Sequence, residues 1–189
     1  FVLAKPLSAY SEALRSLRSA LLLSNVDTPP RVIGVTSSMP SEGKTTLAPS
    51  LGRASAQSGI PTLVIDADLR RSSVAAALGH EPEIGLVECL TGQAKLDEAI
   101  LHDEASALSI LPVSVDSVAA NPPDLLGSES MRALLDEARN KYGLVLVDSA
   151  PVLAVSDMRV LGQACDTLLF VAQWERTPRG AALEAVGIL

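Results

Sequence analysis

The hydrophobic and polar residues of this chain alternate in blocks that predict strands separated by helices. The first block, residues 8–23, carries apolar residues at helical spacing on one face: Leu14, Leu17, Leu21 and Leu22. We expect an amphipathic N-terminal helix there. Thr28, Pro29 and Pro30 then break the pattern.

Short apolar runs follow, and their uninterrupted apolar character is typical of buried parallel strands. They cover residues 32–35, 62–66, 108–111, 144–148 and 167–172. Helical patterns separate them, chiefly a stretch that ends at about residue 58, then 128–141 and 156–164. This alternation predicts an α/β fold, with a mostly parallel sheet flanked by helices on both faces.

Length and composition limit the alternatives. With 189 residues the chain is long enough for one well-buried core, so we predict a single domain over residues 1–189. The net charge of −7 and the lack of any Lys or Arg run argue against nucleic acid as a partner. No stretch approaches the roughly 18 apolar residues of a membrane span.

The strongest chemical signal lies in residues 37–46, SSMPSEGKTT. Lys44 and Thr45 fall directly after a predicted strand, at the start of a predicted helix, where free backbone N–H groups and the helix dipole attract a polyphosphate. Lys44 can reach the β- and γ-phosphates of ATP, and the Thr45 hydroxyl can ligate Mg²⁺. The predicted nucleotide-binding residues are Ser41, Glu42, Gly43, Lys44, Thr45 and Thr46.

This segment is a variant of the P-loop pattern GxxxxGK[ST], because Ser38 occupies the position of the first glycine. A polar turn that merely caps a helix is the alternative. It leaves Lys44 without a function near the positive end of a helix, where a lysine is disfavoured. We therefore predict a P-loop NTPase fold.

Three carboxylates follow predicted strands. Asp66 and Asp68 come at the end of a strand that we expect next to the P-loop strand, and Asp148 ends the run LVLVD in the manner of a Walker B aspartate. Such oxygen ligands suit Mg²⁺, directly or through water. The predicted metal ligands are Thr45, Asp66 and Asp148, and the candidate catalytic residues are Lys44, Asp66, Asp68 and Asp148.

One question stays open at this site. Arg70 and Arg71 either contact phosphate or are simply solvated. A dinucleotide-binding fold would place a ribose-binding acid near Asp66, but its GxGxxG fingerprint needs three glycines and this loop has only Gly43.

Four segments together resemble the bacterial tyrosine kinases, the cytoplasmic partners or domains of polysaccharide co-polymerases. They are EALRSLR at 12–18, SSMPSEGKTT at 37–46, LVIDADLRR at 63–71 and LVLVDSAP at 144–151. The resemblance implies an autophosphorylating, ATP- and Mg²⁺-dependent kinase that controls exopolysaccharide or capsule export. It also implies a location at the bacterial inner membrane, with transmembrane segments on the same or a separate polypeptide.

The resemblance also implies roles for individual residues. Asp68 would help to activate a tyrosine hydroxyl. Glu12, Arg15 and Arg18 would pack neighbouring subunits into a ring in which one subunit phosphorylates the next. An ordinary surface face with helical charge pairs is the alternative for this triplet.

The chain departs from the family pattern in several places. Ser41 stands where the family commonly has glycine, Pro49 falls inside the predicted P-loop helix, and only Tyr10 and Tyr142 are present, whereas family kinases usually carry a tyrosine cluster. A second hypothesis is therefore an ATP- or ADP-gated assembly module without kinase activity. A partitioning or division-site ATPase is a third, but it would normally show a second lysine early in the loop, and residues 37–42 contain none.

Overall fold

The fold is built on one mostly parallel sheet. The structure, a computed structural model, describes residues 2–5, 7–71, 74–115, 117 and 119–189. The strands are β1 (Val32–Ser37), β2 (Thr62–Asp66), β3 (Leu101–Asp103), β4 (Leu108–Leu111), β5 (Leu144–Asp148) and β6 (Thr167–Val171). Their spatial order is β3-β4-β2-β5-β1-β6, and every pairing is parallel except that of β3 with β4. The predicted α/β class is confirmed.

Helices cover both faces of this sheet. They are α1 (Ala9–Leu23), α2 (Lys44–Gln57), α3 (Val74–Ala77), α4 (Leu86–Leu90), α5 (Leu96–Ala99), α6 (Pro122–Leu126), α7 (Glu129–Lys141), α8 (Asp157–Leu161) and α9 (Arg179–Ile188). Successive residues of β5 belong to opposite apolar cores: Leu146 packs with residues of α1 and α2, whereas Val145 and Val147 pack with residues of α7 and α8. This alternation is the two-residue period of a strand that is buried on both faces.

Two expectations about the sheet are wrong. The strand that ends at Asp66 is not next to the P-loop strand, because β5 lies between β2 and β1. The last strand was expected to be buried, but every residue of β6 is only half-buried, since β6 is an edge strand that pairs with β1 alone.

Helix α1 forms where the hydrophobic pattern predicts it. Ser8 caps its N-terminus by accepting a hydrogen bond from the Ser11 amide at 3.2 Å. Leu14 is buried, and Arg18 donates to the carbonyl of Ala54 at 3.2 Å, which ties α1 to α2. Across the described residues, no helix is long and apolar enough to cross a membrane.

Helix α2 starts at the predicted phosphate-binding loop, residues 37–46, and packs closely on the sheet through Gly52. A Cβ at this position would lie 2.9 Å from Cγ2 of Val64 and 3.0 Å from Cδ1 of Leu108. Val64 is a stiff, β-branched side chain on a central strand, so it cannot move aside cheaply. The close contact fixes α2 against β2 and β4.

We predict that Gly52→Ala destabilises the protein. Overpacking costs about 1–3 kcal/mol, which outweighs the gain of about 1 kcal/mol that alanine brings inside a helix. Urea unfolding should show a lower midpoint. Gly180→Ala is the matched control, because no atom lies within 4 Å of a Cβ at that position of α9. Equal stability of the two variants would contradict the close packing of α2.

Candidate functional site

The carboxyl ends of three adjacent strands form the site. Asp66 of β2 lies directly opposite Asp148 of β5, and Asp148 lies opposite Val35 of β1. Lys44 follows from the loop after β1. All three charged side chains are buried, with relative exposures of 1% for Asp66, 1% for Asp148 and 6% for Lys44. The sheet thus brings together the lysine and the aspartates that the sequence singled out.

The phosphate-binding loop adopts a backbone that favours glycine at two positions. Gly43 has φ 98° and caps the N-terminus of α2. Ser41 has φ 65°, a left-handed conformation that is costly for a residue with a Cβ. A glycine would adopt this conformation without that cost, so Ser41 introduces strain in this loop.

The side chain of Lys44 lies back over the loop. Its Nζ donates to the Ser37 hydroxyl at 3.0 Å. Burial lowers the pKa of Lys44 from its ordinary value, while the charges of Asp148 and Asp68 act in the opposite direction. An ammonium group in these surroundings is poorly hydrated and gains strongly from an arriving phosphate.

The carboxylate of Glu42 holds the loop in place by accepting hydrogen bonds. It accepts them from the Met39 amide at 2.7 Å, from the Ser38 hydroxyl at 3.2 Å and from the hydroxyl of Thr177. Burial acts to raise the pKa of Glu42, but these hydrogen bonds outweigh it and hold the pKa below its usual value. Ser38, which replaces the first motif glycine, is therefore a partner of Glu42. Thr177 lies after β6, and no local sequence pattern marks it.

The pKa of Asp148 is strongly perturbed. Burial and the neighbouring Asp66 raise its pKa to about 7, against the opposing effects of a hydrogen bond from Thr45 and the charge of Lys44. Its Oδ1 is buried and has no hydrogen-bond partner among the described residues. A buried oxygen without a partner, next to a threonine hydroxyl, is a donor set that fits a hard cation such as Mg²⁺.

Unlike a carboxylate that only binds a metal, Asp66 uses both of its oxygens to accept backbone hydrogen bonds. Its Oδ1 accepts from the Asp68 amide at 3.3 Å and its Oδ2 from the Val74 amide at 3.1 Å. Both oxygens therefore order the chain after β2. No cluster of three or more His, Cys, Asp or Glu side chains that could hold a metal occurs in the described part of the chain.

A cavity of ≈ 370 Å³ opens in front of Lys44. It is lined by Pro40, Ser41, Lys44, Thr45, Asp68, Arg70, Arg71, Ala150, Pro151, Ala154 and Val155. Asp68 is half-buried in its wall, and its Oδ1 accepts from the amides of Arg70 and Arg71 at 3.3 and 3.0 Å. The apolar wall at 150–155 was not recognised from the sequence. A larger cavity of ≈ 620 Å³ at the amino ends of β1 and β6 contains none of the predicted site residues.

The predicted subunit-packing residues lie elsewhere, on α1. Glu12 and Arg15 pair with each other on its surface, with side-chain exposures of 67% and 39%. Arg18 instead donates to the Ser58 hydroxyl and the Ala54 carbonyl at the end of α2. Two residues of the triplet thus form an exposed ion pair, whereas the third, Arg18, bonds to the end of α2 in the same chain.

Comparison with known proteins relates this geometry to a family. A profile of the AAA domain matches residues 30–183. The tyrosine-protein kinase YwqD of Bacillus subtilis is 33% identical over 181 residues, which cover 96% of this chain and 76% of that protein. This chain belongs to the bacterial tyrosine kinase family. The kinase domain of the Escherichia coli tyrosine kinase ETK superposes with a TM-score of 0.92 at 33% identity, over 98% of this chain and 72% of that domain's chain.

Other family members are much longer. The succinoglycan biosynthesis transport protein ExoP of Rhizobium meliloti is 35% identical over 174 residues, which cover 92% of this chain but only 22% of that protein. A more distant solved structure, the septum site-determining protein MinD of Pyrococcus horikoshii, is a complex with Mg-ADP. It has a TM-score of 0.69 at 26% identity and covers 84% of this chain and 63% of that one. This tyrosine kinase family member therefore has the nucleotide-binding P-loop fold.

The buried charge of Asp148 predicts a pH-dependent stability in metal-free protein. The pKa of about 7 in the folded state exceeds the value of about 3.9 in an unfolded chain. The folded state then binds the extra proton between about pH 4 and 7, so the free energy of unfolding falls as the pH rises through this window. An asparagine side chain cannot titrate, so the fall should be smaller in Asp148→Asn.

Urea unfolding at pH 5 and pH 7.5 in the presence of a chelator measures this effect. The stability of Asp148→Asn relative to wild type should rise by on the order of 1–3 kcal/mol between the two pH values. Parallel stability profiles for the two proteins would show that Asp148 is not held at a raised pKa.

Proposed function

We propose that this chain is an ATP- and Mg²⁺-dependent protein-tyrosine kinase domain that phosphorylates tyrosines of neighbouring subunits and regulates exopolysaccharide export. The observation that carries the proposal is the convergence of Lys44, Thr45 and Asp148 at one sheet edge, beside an open cavity. Membership of the tyrosine kinase family supports the choice of phosphoryl acceptor. We also propose that the domain acts on the cytoplasmic face of a bacterial inner membrane, beside a transmembrane polysaccharide co-polymerase. The similarity to ExoP, a succinoglycan biosynthesis transport protein, supports a link to polysaccharide transport.

The loop of residues 41–46 binds the phosphates of ATP in this proposal. The backbone amides of Gly43, Lys44 and Thr45 stand at the N-terminus of α2 and offer donors to phosphate oxygens. The Thr46 amide donates to the Gly43 carbonyl at 3.2 Å. The Lys44 ammonium neutralises the charge that develops on the transferred group. Glu42 supports the loop without contacting phosphate, because its carboxylate is engaged by Met39 and Thr177.

Thr45 and Asp148 hold Mg²⁺ in this proposal. Mg²⁺ held there would lower the negative charge of the phosphates that the acceptor meets. Asp148 contributes its unpartnered Oδ1, and Thr45 contributes its hydroxyl. Asp66 would support this site indirectly. It orders the turn that follows β2, or it contacts the ion through a water molecule.

Asp68 orients the acceptor. Its carboxylate lies in the cavity wall, close enough to Lys44 for their charges to interact. A tyrosine that enters the cavity places its ring against the apolar wall at 150–155 and its hydroxyl near Asp68. The carboxylate then accepts the hydroxyl proton as the γ-phosphoryl group is transferred.

The first test is phosphoryl transfer by the intact gene product, with labelled ATP and Mg²⁺ followed by mapping of the modified residue. Lys44→Ala should lower the rate of tyrosine labelling roughly 100-fold or more, because the transition state loses a buried cation. Lys95→Ala is the matched control, since Lys95 is exposed and lies outside the cavity lining.

The outcomes separate the two functional hypotheses. Label on tyrosine that is lost with Lys44→Ala and kept with Lys95→Ala supports the kinase. Tight Mg-ATP binding without any transfer contradicts it and favours the nucleotide-gated assembly module.

The ring proposal rests on α1 and has its own test. Arg15→Glu should abolish assembly in sedimentation velocity, because it places like charges on an exposed face that meets a neighbouring subunit. Arg18 is less suitable, since its substitution also removes hydrogen bonds from α1 to the end of α2. Arg132→Glu is the control, because Arg132 forms a similar exposed pair with Glu129 on α7. Unchanged assembly of Arg15→Glu would contradict a role for this face.

A further inference from the structure

A fully buried carboxylate lies just behind the cavity. Asp157 is the first residue of α8, and its side chain has an exposure of 0%. Its Oδ2 pairs with Nη1 of Arg70, and its Oδ1 has no hydrogen-bond partner in the described part of the chain. A buried charge of this kind persists only when a counter-charge compensates it. Arg70 is the counter-charge that the structure provides.

Arg70 belongs to the turn that carries Asp68. The amides of Arg70 and Arg71 both donate to Oδ1 of Asp68. The side chain of Arg70 is 38% exposed and also lines the cavity. One residue therefore connects the backbone turn around Asp68 to a group that is fixed in the core.

The Arg70–Asp157 pair joins two loops that leave neighbouring strands. β2 and β5 are adjacent and parallel, with Asp66 opposite Asp148. The chain after β2 reaches Arg70, and the chain after β5 passes along the cavity at 150–155 before it reaches Asp157. The ion pair thus connects the turn after β2, which lines the cavity, to the helix that follows the 150–155 lining.

We propose that Arg70 is a positioning residue, whose ion pair with Asp157 clasps the turn after β2 to α8 and so fixes Asp68 relative to the phosphate-binding loop. This role deepens the proposed kinase function and rests on it for its catalytic consequence. A nucleophile and its base must be held within a narrow range of geometries for transfer to occur. The clasp supplies that restraint, and Arg70 need not touch phosphate to do so.

The test compares Arg70→Met, Asp157→Asn and the double variant with wild type. Arg53→Met is the matched control, because Arg53 forms a half-buried pair with Asp103, at 2.8 and 3.0 Å, that lies outside the cavity lining. The readouts are amide hydrogen exchange at residues 68–71, nucleotide affinity, and kcat and KM for tyrosine phosphorylation. Arg70→Lys tests rescue by a smaller cation.

Arg70→Met should speed amide exchange at residues 68–71 by roughly tenfold or more and lower kcat about 100-fold, with little change in nucleotide affinity. Arg53→Met should lower the urea midpoint but leave this exchange and kcat unchanged. The double variant should regain stability, because no buried charge remains, but should keep the fast exchange and the low kcat. Arg70→Lys should recover part of the loss.

Two results would overturn the clasp. One is an Arg70→Met variant with exchange and kcat like those of Arg53→Met. The other is a double variant that regains kcat, because the defect would then come only from the unpaired charge of Asp157. If wild-type protein transfers no phosphate, the kinase function fails, and exchange at residues 68–71 decides the clasp by itself.

Discussion

The buried carboxylate of Asp148 sets the main physical constraint on this site. It lies in the middle of the sheet edge, beside the Asp66 carboxylate and near the Lys44 ammonium, with almost no access to water. Two like charges and a poorly hydrated cation in such a place are unfavourable by themselves. They become favourable when a divalent cation and a polyphosphate bind together, because the carboxylates then interact with the cation and the ammonium group with the phosphates. The site is therefore electrostatically prepared for a metal-bound nucleotide.

The loops around the site are held by long-range contacts rather than by their own sequence. Glu42 links the phosphate-binding loop to Thr177, which is 135 residues away along the chain. Arg70 links the turn after β2 to Asp157, 87 residues away. Preorganised groups cost no reorganisation at the moment of reaction, which is how most enzymes gain rate through electrostatics. The contacts of Glu42 with Met39 and Thr177 also hold the loop next to Ser41, which keeps its left-handed conformation.

Much of the fold could be predicted because its strands are unusually uniform. The runs at 62–66, 108–111 and 144–148 are strands with those same bounds, since apolar residues buried on both faces leave a clear local signal. β3 was missed because Leu101–Asp103 is short, mixed in polarity and antiparallel. The position of β5 between β1 and β2 is a property of the topology, which no single segment encodes.

The same distinction applies to the site. Lys44, Asp66, Asp68 and Asp148 could be singled out because each ends a strand, lies shortly after one or opens a helix, and the sheet brings them to one edge. Thr177 and Asp157 were missed because their function depends on partners that are distant in sequence. The roles of the predicted residues in binding and transfer remain predictions of this geometry.

The central claim is that Thr45 and Asp148 hold a divalent cation that belongs to the bound nucleotide. Anomalous diffraction from crystals grown with Mn²⁺ and a non-hydrolysable ATP analogue tests it most directly. The account predicts a single strong peak at coordination distance from the Thr45 hydroxyl, in contact with Oδ1 of Asp148 directly or through one water, and bridging two phosphates. A nucleotide bound in another cavity, or a metal ion that contacts neither residue, would contradict it.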